Sequence, residues 1–256
     1  MKDQKTIFIT GTASGIGRAT ALLFAEKGWY VGLFDIDGEK LKDLAKQIGE
    51  DTCCYQVMDV KDSKAVEASV QFFEKRTEGQ MDILFNNAGI YRVDPFEEMN
   101  LDDKTEIVKI NVLGVINCIH FAFDALKRTP GARIINMCSS SALYGVPEIA
   151  AYSASKFAVR GLTQALNIEF ERHGIMVSDI MVSFVQTPLL NQKKTSMAQQ
   201  KSGVHLTAEQ VAELIWKAAH GKKVHWGIGI ALNRLLVGLL PTSAVRNVMK
   251  SGAWYN

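Results

Sequence analysis

Thr10-Gly11-Thr12-Ala13-Ser14-Gly15-Ile16-Gly17 follows directly on the apolar run Thr6–Thr10 and leads without a break into Arg18-Ala19-Thr20-Ala21-Leu22-Leu23-Phe24. A strand, a glycine-rich turn and a helix in direct succession read as the first unit of an alternating α/β chain. The start of such a helix offers unpaired N–H groups and the positive end of its dipole, and glycines let backbone approach a pyrophosphate there. The spacing is Gly-x-x-x-Gly-x-Gly rather than the commoner Gly-x-Gly-x-x-Gly, and alone it fits an ordinary tight turn equally well. The next strand sharpens it. Tyr30–Asp35 ends, 18 residues after Gly17, in an acid that would accept hydrogen bonds from both hydroxyls of an adenine ribose. Asp37 is better placed than Asp35 to cap the following helix.

The alternation continues outward from this unit. Helix Gly15–Lys27, strand Tyr30–Asp35, helix Glu39–Ile48, strand Thr52–Met58, helix Ser63–Arg76 and strand Ile83–Asn86 succeed one another. In the second helix Leu41, Leu44, Ala45 and Ile48 fall at i, i+3, i+4 and i+7, with Lys40, Lys42, Asp43 and Lys46 opposite. The strands are continuous apolar runs, as parallel strands buried on both faces require. A long helix from about Asp102 to Lys127, strand Arg133–Cys138, a helix from about Tyr152 to Arg172 and strand Met176–Val182 extend the pattern. The expected fold is α/β, a single doubly wound, Rossmann-like parallel sheet with helices on both faces and right-handed crossovers. The polar, basic stretch 187–206 (Asn191, Gln192, Lys193, Lys194, Gln199, Gln200, Lys201) reads as a loop over a site, and Thr207 with Gln210 makes a capping box for a further helix. No linker divides residues 1–256, so one domain is expected, with 188–206 as substrate loop and 227–256 as a C-terminal extension.

Composition narrows the function classes. The chain of 256 residues is 47% hydrophobic and 22% charged, enough apolar material for a core and too little charge for disorder. Four cysteines, two of them adjacent at 53 and 54, make no disulfide framework in a chain of this size and are read as reduced, intracellular thiols. The first residues lack the features of a secretory signal, and a cytoplasmic location is expected. Residues 1–188 hold 20 Lys and Arg against 25 Asp and Glu, whereas 189–256 hold 9 against 2. The body is therefore no nucleic-acid binder on charge grounds. The five histidines, at 120, 173, 205, 220 and 225, lack metal-ligand spacing, and no metal is assigned.

Five spaced motifs in fixed order give the chain a resemblance, from Thr6 to about Pro188, to the short-chain dehydrogenase/reductase family. These are the Thr-Gly-x-x-x-Gly-x-Gly turn; Asp59-Val60; Asn86-Asn87-Ala88-Gly89; Asn111 in the long helix; and Tyr152-Ser153-Ala154-Ser155-Lys156 with Ser139 thirteen residues before the tyrosine. The resemblance implies a catalytic set of Asn111, Ser139, Tyr152 and Lys156. It also implies a nicotinamide cofactor held by Gly11, Ser14, Gly15, Ile16, Gly17, Asp35, Asp59, Val60, Asn87, Ala88, Gly89, Tyr152, Lys156, Val185 and Thr187. Asn111 would prop a water linking Lys156 to solvent. One departure stands out: the family's usual Pro-Gly after the sixth strand is Val182-Ser183 here, which leaves the path of residues 183–187 open.

The chemistry of these residues can be argued independently. Tyr152 and Lys156 are four apart on a helix and share a face. A phenol with a pKa near 10 needs a shift of roughly 2–3 units to act as a base near neutrality. An ammonium about 5 Å away, at an effective dielectric near 20, supplies about 3 kcal/mol toward it. Tyr152 is thus the acid/base candidate, and Ser139, at the end of a strand, would hold the same substrate oxygen. Each residue also has a bland alternative: a buried ring, a solvated charge, one of three turn serines, a helix-bridging amide. Their joint spacing favours the catalytic set.

The expected activity is hydride transfer between NAD(H) and a secondary alcohol or ketone, with NADP disfavoured because Asp35 opposes a 2′-phosphate. Arg18 is the counter-argument. The alternative is a catalytically silent dinucleotide sensor or scaffold. Tyr91, Val93, Leu143, Tyr144, Val146 and Ile149, in segments expected to line the substrate site, suggest an apolar substrate. The resemblance further implies a homodimer or homotetramer built on the Asp102–Lys127 and Tyr152–Arg172 helices; Phe157, Ala158, Gly161, Leu162, Ala165, Leu166, Ile168 and Phe170 put apolar groups around much of the second. The run Ile228–Leu240, as a helix of roughly 20 Å, is too short to span a bilayer. With the basic helix after Pro241 (Val245, Val248, Met249, Arg246, Lys250) and Trp254 and Tyr255, it suits peripheral contact with anionic lipid. A lid over the substrate site or an oligomer contact is the favoured reading.

Overall fold

Ile7, Phe8 and Ile9 are inaccessible to solvent, and the strand that carries them, β1 (Thr6–Thr10), is the centre from which the architecture spreads. In this computed structural model, which describes residues 4–191 and 194–253, β1 is flanked by β2 (Tyr30–Asp35) and β4 (Ile83–Asn86). Beyond them lie β3 (Cys53–Val57) on one side, and β5 (Arg133–Met137), β6 (Met176–Val182) and β7 (His225–Ile228) on the other. The sheet order is β3-β2-β1-β4-β5-β6-β7, and every pairing is parallel. The chain winds one way from β1 to β3 and the other way from β4 onward, so the carboxyl ends of β1 and β4 bound a crevice at the switch point.

Both faces are covered. Helices α1 (Gly15–Glu26) and α2 (Gly38–Ile48) pack Phe24, Leu41 and Leu44 on one side, together with Val211 and Ile215 of α8 (Ala208–His220). On the other side α3 (Ser63–Arg76), α5 (Gly114–Arg128) and α6 (Ala150–Glu169) contribute Phe73, Ile119 and Val159. Asp37 caps α2 through Lys40 N–H, and Thr207 with Gln210 forms the capping box of α8, both as their spacing predicts. The four cysteines are free and buried.

The structure differs from the sequence reading in four places. The long helix is α4 (Leu101–Val108) and α5 joined by a π-helical turn, Lys109–Leu113, which contains Asn111. The stretch read as a loop contains a helix, α7 (Met197–Ser202), because Ser196 caps it through Gln199 N–H; Gln192 and Lys193 lie outside the described residues. A seventh strand, His225–Ile228, has no counterpart in the sequence pattern. Its pairing is fixed by a long-range contact: His225 Nδ1 lies 2.9 Å from a carboxylate oxygen of the buried Asp179, while Asp179 N–H donates to Val224. Lastly, Ile228–Leu240 is no continuous helix. Ile228 ends β7, Gly229 turns with φ +72°, and α9 (Ala231–Leu239) and α10 (Thr242–Ala253) follow. Trp254 and Tyr255 lie outside the described residues.

Candidate active site

The turn after β1 is shaped first by its own protein neighbours. Gly11 has φ +73°, and a β-carbon there would lie 2.9 Å from Ala88 Cα. A β-carbon at Gly17 would meet the Gly11 carbonyl oxygen at 2.0 Å and Asn87 Nδ2 at 2.6 Å. These glycines let α1 start hard against the end of β4. Thr10, the first residue of the motif and one whose spacing implies no role, completes the joint: its hydroxyl accepts from Asn87 N–H at 3.0 Å and Ala88 N–H at 2.9 Å. Asn87 Nδ2 in turn donates to the carbonyls of Thr10 and Gly11. Deeper in the sheet Asn86 donates to Asn136, which donates to Thr163.

Ser14 is the N-cap of α1, yet its side chain makes no bond to the first turn. Asp35, at the tip of β2, accepts from Ala13 N–H at 2.9 Å and from Asp37 N–H at 3.2 Å, so its carboxylate is oriented by backbone on both sides. Arg18 leaves the site altogether and donates to Gln47 at 2.6 Å. Asp59 accepts from Lys61 N–H, and Val60 is held by Asn117, whose side chain donates to its carbonyl at 2.9 Å.

On the far wall Ser139, two residues past β5, takes extended backbone and accepts from Ser141 N–H at 3.2 Å. Its side chain also lies beside Tyr152 and favours the phenolate. Lys156 is buried, donates to the Met137 carbonyl at 2.8 Å and lies 5.6 Å from the Tyr152 ring centre. Asn111 is fully buried; its amide donates to the Ile90 carbonyl and to Ser155 Oγ, and its oxygen accepts from Ile90 N–H at 2.8 Å. The π-helical turn aims it inward, a distortion common at functional sites.

Electrostatics here runs against the simplest expectation. Burial pushes the Tyr152 phenol well above its ordinary value, with only Ser139 opposing, and burial lowers Lys156. The polypeptide alone does not make Tyr152 acidic, because loss of water around the phenolate outweighs the help it receives from Ser139.

These groups share one cleft of about 610 Å³. It runs from Asp35 past Gly11, Ser14, Gly15 and Ile16 to Ala88 and Gly89, with Asp59 and Val60 alongside, and reaches Ser139, Tyr152 and Lys156. Gly17 and Asn111 support it from behind. The path after β6 is now defined: Ser183 and Phe184 line the cleft, and Val185–Gln186 pairs with Leu206–Thr207. Val185 and Thr187 also line it, and the Thr187 side chain stands 3.1 Å from where a β-carbon of Gly15 would be. Of the apolar residues expected around a substrate, Tyr91, Leu143, Tyr144, Val146 and Ile149 are present. Val93 is not among them, and Phe96 is exposed beneath Lys104. Leu190, from the segment expected as a substrate loop, and Val248 and Met249 of α10, from the tail read as a lid, add further walls.

Comparison with known proteins shows which family and fold the chain shares. The profile of the family described as short chain dehydrogenase matches residues 5–198. D-threitol dehydrogenase of Mycolicibacterium smegmatis is 34% identical over 189 residues, covering 73% of this chain and 72% of that protein. Cyclohexanol dehydrogenase of an Acinetobacter species is 31% identical over 192 residues, covering 73% and 76%. Among solved structures, a short chain dehydrogenase/reductase from Burkholderia phymatum in complex with NAD superimposes with a TM-score of 0.83 at 25% identity, over 93% of this chain and 92% of that one.

Proposed function

The chain belongs to the short chain dehydrogenase family of oxidoreductases, and on that premise we propose that it moves hydride between NAD(H) and a secondary alcohol or ketone of apolar character. The observation that carries this reading is the convergence of Ser139, Tyr152 and Lys156 at one end of a cleft whose other end is Asp35. The residues present fit a dinucleotide: a glycine turn without β-carbons, an N-cap serine with its hydroxyl uncommitted to the helix, and a ribose-facing carboxylate. A bound nicotinamide would supply or accept the hydride. Tyr152 takes the hydroxyl proton in oxidation and returns it in reduction, Ser139 holds the same oxygen, and Lys156 holds the nicotinamide ribose. Val185 and Thr187 would meet the carboxamide, and Asn111 steadies the proton path behind Lys156.

Two finer choices rest on particular contacts. NAD is favoured over NADP because Asp35 is fixed facing the cleft while Arg18, engaged with Gln47, is absent from its lining. An apolar substrate is favoured by Tyr91, Leu143, Ile149, Leu190 and Met249 around the Tyr152 end. We read the segment after β7, through α10, as a cover for this site, and the chain as one cytoplasmic domain that self-associates. Assay of purified protein with NAD and a panel of secondary alcohols, including cyclohexanol, tests the reading. Turnover that Tyr152→Phe abolishes supports it. NAD binding without turnover in both proteins would instead favour the silent sensor.

A further inference from the structure

Tyr91 stands between Tyr152 and the segment that covers the cleft. Its backbone begins from Ile90, which Asn111 grips at both the N–H and the carbonyl. Its ring, 2% exposed, lies edge-on against Tyr152 with centroids 5.1 Å apart and planes at 90°. A buried phenol needs a partner for its hydroxyl, and Tyr91 donates to Ser196 Oγ at 3.3 Å. Ser196 is itself fully buried, and the same oxygen accepts from Gln199 N–H at 3.2 Å, so the group that receives Tyr91 also caps α7. Helix α7 brings Ala198 and Ser202 to the wall of the cleft.

Other ties hold this cover to the body. Met197 N–H donates to Glu148 Oε2 at 2.7 Å, and Glu148 has φ +66°, a conformation uncommon outside glycine, with its carbonyl accepting from Asp94 N–H. Lys194 pairs with Asp94 and Glu98. Each of these ends on the rim. The Tyr91–Ser196 bond leads on, through the ring contact, to Tyr152. Burial and the charge of Glu148 raise Tyr91, which keeps it a neutral donor.

We propose that Tyr91 is a positioning residue that couples the seating of α7 to the orientation of Tyr152. With Ser196 engaged, the Tyr91 ring is held by both ends, and its edge fixes the direction in which Tyr152 presents its hydroxyl and excludes water from that side. The inference rests on Tyr152 as the proton-transfer group, but its first test does not depend on turnover.

Hydrogen exchange of the 197–202 amides is measured on the full chain without substrate, in wild type, Tyr91→Phe, Ser196→Ala, the double variant, and Tyr152→Leu with and without Tyr91→Phe. Loss of one net hydrogen bond corresponds to roughly fivefold faster exchange. Tyr91→Phe should give that increase alone and nothing further in the Ser196→Ala background, because both remove the same bond; Ser196→Thr should restore protection. Coupling is reciprocal, so Tyr152→Leu should also speed exchange at α7, but not once Tyr91 is Phe. Unchanged exchange in Tyr91→Phe, or fully additive effects, overturns the proposal. In the second arm, oxidation of cyclohexanol with NAD is followed across pH. Tyr91→Phe should lower kcat several-fold, move the alkaline limb and leave KM for NAD unchanged, whereas a residue needed only for folding would scale the profile without moving it. Wild-type protein inactive on the alcohol panel would refute the proposed activity, and the exchange experiment would still decide the coupling.

Discussion

The Lys156 ammonium donates to the Met137 carbonyl at 2.8 Å, which seats the cation 5.6 Å from the centre of the Tyr152 ring. This single bond seats Lys156 beside a buried phenol, and the proposed mechanism makes the pair answerable to pH. Burial holds Tyr152 above its ordinary value, so at neutral pH the phenol is protonated and ready to give its proton in reduction. On the proposed mechanism oxidation uses the phenolate and should rise with pH, while reduction falls. Lys156→Ala removes the cation and should move the alkaline limb of oxidation upward by at least about one unit, equivalent to 1.36 kcal/mol. A pH–rate profile of the variant that coincides with wild type excludes the lysine from proton transfer.

Asp35 makes a separate prediction about the cofactor. Its carboxylate is aimed by Ala13 and Asp37 N–H groups, and hydrogen bonds to a charged acceptor contribute about 1.5–3 kcal/mol. Asp35→Ala should therefore weaken NADH roughly tenfold or more while weakening NADPH little, because the lost attraction to a ribose is offset by lost repulsion of a phosphate. Fluorescence titration reads both constants. Wild-type protein that binds NADPH more tightly than NADH contradicts the assignment.

Gly17 tests whether the turn is shaped by its ligand or by its neighbours. A β-carbon there meets backbone at 2.0 Å, and backbone cannot rotate away. Gly17→Ala should cost about 3 kcal/mol and lower Tm by roughly 6–12 °C for a domain of this size, even without cofactor. Gly238→Ala, with nothing within 4 Å of its new β-carbon and a helical position, should instead gain up to about 1 kcal/mol. Equal melting temperatures for the two variants would show that the close approach is relieved in solution.

How far the molecule is legible from its sequence follows the range of the contacts involved. Ser63–Arg76, Ile83–Asn86 and Met176–Val182 lie where periodicity and apolar runs put them, because local pattern and tertiary burial agree there. His225–Ile228 carries no such pattern. It is a half-buried edge strand whose place depends on Asp179, 46 residues earlier. The same holds at the site. Gly11, Asp35, Tyr152 and Lys156 announce themselves by spacing. Ser196 and Glu148 do not, since Ser196 meets Tyr91 across 105 residues and Glu148 meets Met197 across 49. The sequence also points to the Tyr152–Lys156 pair without revealing that burial opposes it, because desolvation is a property of the packed cleft.

Self-association is predicted on the helix face away from the sheet. Val108, Leu113, Ile116 and Phe157 are exposed along α4, the π-helical turn, α5 and α6. A groove of about 740 Å³ lined by Ile116, Phe121, Leu162, Leu166 and Phe170 lies on the same side. Large exposed apolar patches mark interaction surfaces, and a second copy of the chain is the expected occupant. Sedimentation should give a dimer or tetramer at micromolar concentration, and Ile116→Lys with Phe157→Glu should release monomer. A wild-type monomer over that range rejects the expectation.

The last prediction concerns the C-terminal segment, where two apolar faces point to different uses. On α10 Val245 is buried and Val248 and Met249 line the cleft. On α9 Leu235 and Leu239 are exposed, and Leu240 follows, in a segment that also carries Arg234 and Arg246. The first arrangement belongs to a cover and the second would suit anionic lipid. Contact with the cleft decides the order of importance, because removing α10 opens the apolar end of the site whether or not a membrane is present. Truncation after Pro241 should therefore raise KM for an apolar alcohol several-fold more than KM for NAD, with the seven-stranded sheet intact by circular dichroism. Flotation with phosphatidylserine vesicles examines the other face: full-length protein that stays at the bottom of the gradient, together with the loss on truncation, identifies a cover. Protein that floats, and does so less when Leu235 and Leu239 are replaced by Ser, makes the same segment a membrane contact as well.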